Sequence, residues 1–165
     1  MPDWIGHILI ALILAEIFGI KRKSLAVVGA VLPDVLVKLE LISIFLPVDK
    51  YALTWIFNPL HTPLGMILFS VLLLPLFRAE QVRVYTLLFI GWGSHLLADF
   101  VFNKHIFIGQ NMLLFPFSWS NYEIGLVWPD QYYLILGPLV LIYGIILIHK
   151  YYKSTRDSSS RGKRS

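Results

Sequence analysis

The stretch Val84–Phe102 reads VYTLLFIGWGSHLLADFVF and combines the composition of a membrane helix with two ionisable side chains, His95 and Asp99. Its length approaches the roughly 20 apolar residues that cross a bilayer as a helix. His95 and Asp99 are four residues apart, so a helix would place both on one face. Gly91 and Gly93, which precede them, would let another helix backbone approach closely. Ionisable groups at such positions persist mainly where they pair, bind an ion or line a polar cavity.

Four other stretches share this apolar character, which predicts an all-α bundle of about five transmembrane segments. They are Trp4–Ile20, Leu25–Leu46, Pro63–Phe77 and Tyr132–His149. The chain of 165 residues is 57% hydrophobic and only 15% charged, with a mean hydropathy of +0.70. That composition is too apolar for an ordinary soluble domain. Pro33 predicts a break in the second segment, because proline removes a backbone donor.

Basic residues flank these segments unevenly. If the chain alternates across the membrane, eleven of them fall on one side: Lys21, Arg22, Lys23, Arg78, Arg83, Lys150, Lys153, Arg156, Arg161, Lys163 and Arg164. Lys50 and Lys104 fall on the other side, and Lys38 lies within a segment. The positive-inside rule then predicts a multi-pass protein of the cytoplasmic (inner) membrane, with its amino terminus outside and its carboxyl terminus in the cytoplasm. Residues 1–153 form one transmembrane domain, followed by a disordered basic tail at 154–165.

The composition also excludes several functions. The chain has no cysteine, so disulfides, thiolate ligands and cysteine nucleophiles are absent. Nucleic-acid binding is not expected despite the net charge of +4, because the basic residues flank apolar runs and carry no recognisable nucleic-acid motif. The first apolar run precedes Lys21 rather than a cleavage site, so we expect it to be retained. The bilayer is the expected partner, and the aromatic loop Asn103–Gln131 suits its outer interface.

Three further candidate ligands lie in or beside the other segments. His7 is near the outer end of the first segment, and Asp34 directly follows Pro33. His61 precedes Thr62-Pro63, which predicts a helix N-cap followed by proline at the first helical position. A helix restarting after Pro33 would stabilise an ionised Asp34 through its positive dipole end.

Each candidate also has a simpler interpretation. His95 and Asp99 would form a hydrogen-bonded pair that only locks helix packing, and Asp34 would be neutralised by Lys38, four residues later. His7 and His61 would be interfacial histidines, with His7 paired to Asp3.

The predicted topology favours one shared site over these separate roles. It places His7, His61, His95 and Asp99 in the outer part of the membrane and Asp34 nearer the middle. Three imidazoles and two carboxylates suit a divalent transition metal, for which Zn²⁺ is the expected ion. We therefore predict a metal site with His7, Asp34, His61, His95 and Asp99 as its ligand set, in which Asp34 or Asp99, if it does not coordinate the ion directly, acts as a general base.

Five short motifs, in this order, resemble the YdjM-type family of bacterial and archaeal membrane-bound metal-dependent hydrolases. They are Gly6-His7, Leu32-Pro33-Asp34, Leu60-His61-Thr62, Ser94-His95-Leu96-Leu97-Ala98-Asp99 and Leu113-Leu114-Phe115-Pro116-Phe117. Two features depart from the family: Leu36 stands where members often carry a second carboxylate, and Ile56-Phe57 replaces a His-Arg pair. These departures favour one metal ion over a multinuclear centre.

The resemblance implies a hydrolase, and the predicted depth of the site points to an ester or phosphoester substrate, lipid-derived or from the cell envelope. The alternative is a transporter in which the same polar cluster binds an ion or relays protons. That alternative predicts polar groups continuing toward the cytoplasmic side, where Glu16 and Lys38 are the candidates. A third interpretation is a structural membrane protein with paired polar residues.

Overall fold

The structure, a computed structural model, describes residues 4–38, 45, 49–77, 80–104 and 111–161, and the regular elements in these ranges are helices. Six α-helices follow one another: α1 (Trp4–Ile17), α2 (Lys23–Val37), α3 (Lys50–Phe57), α4 (Pro63–Leu72), α5 (Gln81–Phe102) and α6 (Tyr133–Arg161). Short 3₁₀ turns cover Asn58–His61, Leu74–Leu76 and Pro129–Gln131. The predicted all-α class is confirmed.

The most extensive helix contact joins α2 to α5. A methyl group added at Gly91 would collide with the backbone of Ala26 and Ala30, and one added at Gly29 would collide with the backbone of Leu88. The two helices therefore approach each other backbone to backbone, which only residues without a side chain permit. The role predicted for Gly91 is confirmed, and it brings the middle of α2 directly against the helix that carries His95 and Asp99.

The helix α4 packs on another face of α5, where Met66, Trp92 and Leu96 form a buried apolar cluster. Gly93 faces the side chain of Met66, and a methyl group there would meet its sulfur at an ordinary distance of 3.7 Å. The close backbone approach predicted for Gly93 is therefore wrong. Its neighbour is a flexible side chain instead of a helix backbone.

The helix α6 contacts the rest of the protein mainly along α1, through buried residues near its start such as Tyr132 and Ile135. Its apolar stretch Tyr133–Arg156 is almost entirely unburied by the rest of the protein. By length and composition, α5 and this part of α6 are long enough to cross a membrane, whereas α1 and Pro63–Leu76 are apolar but shorter. Two of the five predicted segments thus meet the length criterion.

Several boundaries differ from the expected ones. The helix α2 runs through Pro33 to Val37 without the predicted break, and its last turn is held where the amide of Lys38 donates to the carbonyls of Asp34 and Leu36. Proline removes one donor, and that loss is not enough to end this helix. The remainder of the predicted second segment, 39–46, lies outside the described residues except for position 45.

The structure contains one helix and one helical extension that the hydropathy pattern did not indicate. The helix α3 was not expected, because its eight residues are too few to display a clear helical repeat. The helix α6 continues to Arg161, although we expected a disordered tail from residue 154 onward. Extending an existing helix avoids the cost of nucleation, which is how a polar segment can remain helical behind an apolar one.

Candidate metal centre

The five side chains predicted to be ligands come from four separate parts of the chain. His7 lies in the second turn of α1, Asp34 in the last turns of α2, His61 in the 3₁₀ turn before α4, and His95 and Asp99 in α5. All five are buried, and His95 and Asp99 have no exposed surface. The structure therefore brings the predicted set together, as the shared depth implied.

Local sequence places His61 at its position. Thr62 caps α4, where its Oγ1 accepts a hydrogen bond from the amide of Gly65 at 3.1 Å and donates one to the carbonyl of Pro59 at 2.6 Å. Pro63 occupies the first helical turn, where a missing amide hydrogen costs nothing. The predicted N-cap is confirmed, and it fixes His61 immediately before the start of α4.

Asp99 lies at the middle of the cluster. Its Oδ1 is 3.3 Å from Nε2 of His7, and its Oδ2 is 3.2 Å from Nε2 of both His61 and His95. Asn103, one helical turn later, donates a hydrogen bond from Nδ2 to Oδ1. Three imidazoles and one amide thus surround a single buried carboxylate.

The tautomer of His95 follows from its second ring nitrogen. Nδ1 lies 2.7 Å from the carbonyl oxygen of Ala30 on α2, which can only accept a hydrogen bond. His95 therefore donates from Nδ1, and in its neutral form Nε2 carries a lone pair directed at the cluster. A backbone carbonyl that orients the far nitrogen is the usual support of a metal-ligating histidine.

The other two imidazoles pack directly on His95. The ring of His7 stacks on it with a centroid separation of 3.9 Å, and the ring of His61 meets it edge-on at 4.8 Å. The Nε2 atoms of His61 and His95 are 2.7 Å apart. Together with the distances to Asp99, these contacts show that Nε2 of all three rings faces the Asp99 carboxylate.

Asp34 completes the cluster from the side of α2. Its Oδ1 is 3.9 Å from Nε2 of His95, whereas its Oδ2 is buried without a hydrogen-bond partner. The alternative that Lys38 neutralises Asp34 is not seen, since the Lys38 ammonium lies over the Trp4 ring, 3.9 Å from its centroid. Asp34 is held less tightly than Asp99 and presents one free carboxylate oxygen.

Unpartnered polar atoms test whether a cation fits this cluster. Within the described parts of the chain, several buried atoms of these residues make no hydrogen bond: Nδ1 and Nε2 of His7, Nδ1 of His61, Oδ2 of Asp34 and Oδ2 of Asp99. Burying such groups unpaired costs free energy, and a cation bound in the cluster would compensate the two carboxylate oxygens and Nε2 of His7, although not the Nδ1 atoms on the other side of their rings. Two sets of ligand atoms each lie within 4.8 Å of one another, His7–His95–Asp99 and Asp34–His61–His95. This donor set could hold one divalent ion.

The far end of the bundle is ionic and separate from the cluster. Glu16 follows His7 by nine residues, roughly 13 Å along α1, and pairs with Lys23 of α2 and Lys150 of α6. Near the start of α5, Glu80 lies 2.8 Å from Arg22 and 3.5 Å from Arg83. Glu16 therefore joins α1 to α2 and α6.

Sequence reasoning missed two supporting groups, Asn103 and the carbonyl of Ala30. The spacing of Asn103 from Asp99 is four residues, the same helical signal that paired His95 with Asp99, so it was available in the sequence. No local signal marks Ala30, which is 65 residues from His95. His149 lies exposed on α6 and outside the cluster, and Asp3 and His105 lie outside the described residues.

Comparison of the chain with protein-family models, with curated proteins and with solved structures found no match.

Proposed function

We propose that this chain is a multi-pass membrane protein with a metal-dependent hydrolase centre at its outer face. One observation carries the proposal: three imidazoles and two carboxylates from four parts of the chain converge in a buried cluster, in which Nε2 of His7 and one oxygen of each carboxylate lack hydrogen-bond partners. Such an inventory matches the ligands of Zn²⁺ and related divalent ions. The order of motifs that resembles the YdjM-type family supports the same activity.

The membrane placement is supported by the surface of α6. Its side chains at Val140, Leu141, Ile145 and Ile148 are all more than half exposed. Apolar surface of this extent is costly in water and is expected where lipid covers it. The ion pairs of Glu16 and Glu80 gather basic residues at the end of the bundle opposite the cluster. The positive-inside rule would put that end in the cytoplasm and the cluster at the outer leaflet.

The geometry suggests different roles for the two carboxylates. Asp99, surrounded by His7, His61 and His95, is suited to hold the ion at the centre of the ligand set. Asp34 has a free oxygen and lies at the edge of the cluster, so it is suited to accept a proton from water. When bound, a divalent ion would supply Lewis acidity toward water and toward the oxygen of an ester or phosphoester. His95 keeps its ligand nitrogen directed inward through its bond to Ala30.

A lipid-borne or envelope-derived ester or phosphoester is the substrate class that fits a centre at the outer leaflet. The transporter alternative requires polar groups that lead from the cluster to the opposite end. Among the described residues, Glu16 is instead held by Lys23 and Lys150, and Lys38 lies on Trp4. These contacts favour a closed centre over a continuous ion path.

Metal content tests the centre directly. Protein purified in detergent should contain close to one equivalent of a transition metal, measured by elemental analysis. The double variant His95→Ala, Asp99→Ala should lose most of it, because the ligands themselves are removed. His149→Ala, which removes an exposed histidine outside the cluster, should retain the metal. Full retention in the double variant would overturn the assignment.

Hydrolysis tests the activity. In proteoliposomes, wild-type protein should cleave members of a panel of lipid and small esters and phosphoesters, and chelator should abolish the cleavage. Asp34→Asn should lower turnover about 100-fold or more as expected for loss of a general base, with most of the metal retained. Ion flux that depends on His95 and Asp99, with no ester cleaved, would instead establish the transporter.

A further inference from the structure

An extended segment, residues 122–128, lies against the end of α5 immediately after the cluster. Its amides at Ile124, Leu126 and Val127 donate hydrogen bonds to the carbonyls of Phe100, Val101 and Phe102, over distances of 2.7 to 3.1 Å. The amide of Lys104 donates back to Val127 at 3.1 Å. We call residues 122–128 the ribbon.

The ribbon completes the carboxyl end of α5. The last carbonyls of a helix have no partner within the helix, and leaving them without one is costly in a membrane because no water is present to bind them. The ribbon donates hydrogen bonds to the carbonyls of the final turn of α5, which directly follows Asp99. Gly125 makes this possible, since its φ of +62° is a conformation that other residues rarely adopt.

The outward face of the ribbon is apolar. Exposure alternates along the ribbon, so that every second residue is exposed. The exposed fractions are 37% for Tyr122, 57% for Ile124, 63% for Leu126 and 47% for Trp128. The intervening residues, Glu123, Gly125 and Val127, are only half-buried. Four successive outward side chains are thus large and apolar or amphipathic.

We propose that the ribbon docks into the lipid headgroup and acyl-chain boundary of the outer leaflet and holds the end of α5 at that depth. The inference rests on the proposed membrane placement of α5 and α6, since the ribbon lies in the connection between these two helices. Tyr and Trp are the residues that concentrate at this boundary. The ammonium of Lys104 lies 4.0 Å from the ring centroid of Trp128, so a ribbon at this boundary would present a cation to the lipid phosphates.

The docking has a consequence for the substrate. Asn103 is bridged to Val127 of the ribbon and donates to Asp99. A ribbon at headgroup depth would therefore hold the Asp99 turn within reach of esters and phosphates at the membrane surface, the substrate class proposed above.

Spin labelling tests the docking, because the chain has no cysteine to compete for the label. Single variants Ile124→Cys and Leu126→Cys would be labelled and reconstituted in vesicles of phosphatidylcholine and phosphatidylglycerol. Glu123→Cys and Val127→Cys are the matched controls on the other face of the same ribbon. Collision with oxygen, which dissolves in lipid, is compared with collision with a water-soluble nickel chelate.

Labels at 124 and 126 should favour oxygen over the nickel chelate by about two- to threefold more than labels at 123 and 127. Stronger collision with nickel at 124 and 126 would place the ribbon in water, and weak collision with both reagents would place it under protein. Either result overturns the docking. Metal content measured on the same samples separates this failure from failure of the proposed centre.

Discussion

The carboxylate of Asp99 depends on one neighbour, Asn103, that is not itself a candidate ligand. Its amide nitrogen donates to the oxygen that also faces His7. Groups that orient a metal ligand in this way typically contribute 10- to 100-fold to metal affinity. Asn103→Ala should therefore weaken metal binding by about tenfold or more while leaving the three histidines and both carboxylates of the cluster in place.

Competition with a fluorescent chelator measures this affinity in the purified protein. Asn121→Ala is the matched control, because it removes the same side chain from the outer loop, where Asn121 accepts a hydrogen bond from the Asn111 amide. Equal affinities in the two variants would show that Asn103 does not position Asp99.

The contact between α2 and α5 tests how helix packing supports the cluster. Gly91→Ala places a methyl group against the backbone of Ala26 and Ala30, which cannot move aside as a side chain can. Overpacking of this kind typically costs about 1–3 kcal/mol. Because Ala30 also accepts the hydrogen bond from His95, a displaced α2 should weaken metal binding as well.

Thermal unfolding in detergent, followed with metal content, checks this prediction. Gly93→Ala is the control two residues away on the same helix, where a methyl group meets only the Met66 sulfur at 3.7 Å. It should be neutral or slightly stabilising, since alanine favours a helix over glycine by about 1 kcal/mol. A Gly91→Ala protein as stable as the Gly93→Ala protein would contradict the close backbone contact.

The arrangement of all the helices across the membrane is testable through the two ends of the bundle. At one end of the bundle, Arg22 pairs with Glu80, and Lys23 and Lys150 pair with Glu16. The histidines and aspartates of the cluster lie together elsewhere. If this polarity reflects the membrane, reporter fusions after Lys50 and after Ser165 should give opposite responses, outside and cytoplasmic respectively. Identical responses from both fusions would contradict the five-segment topology.

Composition and local spacing were sufficient to predict the all-α class and several local features of the cluster. Hydropathy indicated helices around His7, Asp34, His95 and Asp99 because apolar runs are a local property of the chain. The four-residue spacing of His95 and Asp99 and the cap at Thr62 are also local, and both appear as expected. Pro33 shows the limit of such signals: one missing donor predicted a break, but α2 continues through it.

The contacts that join the cluster depend on residues far apart in the chain. His61 meets His95 across 34 residues, and Ala30 orients His95 across 65. No periodicity records such pairs, because they depend on how separate helices pack, as where Gly91 lets α2 approach α5 backbone to backbone. Residue types and flanking charges therefore indicated which side chains would share a site. Helix packing established which nitrogen, which oxygen and which supporting group each of them uses.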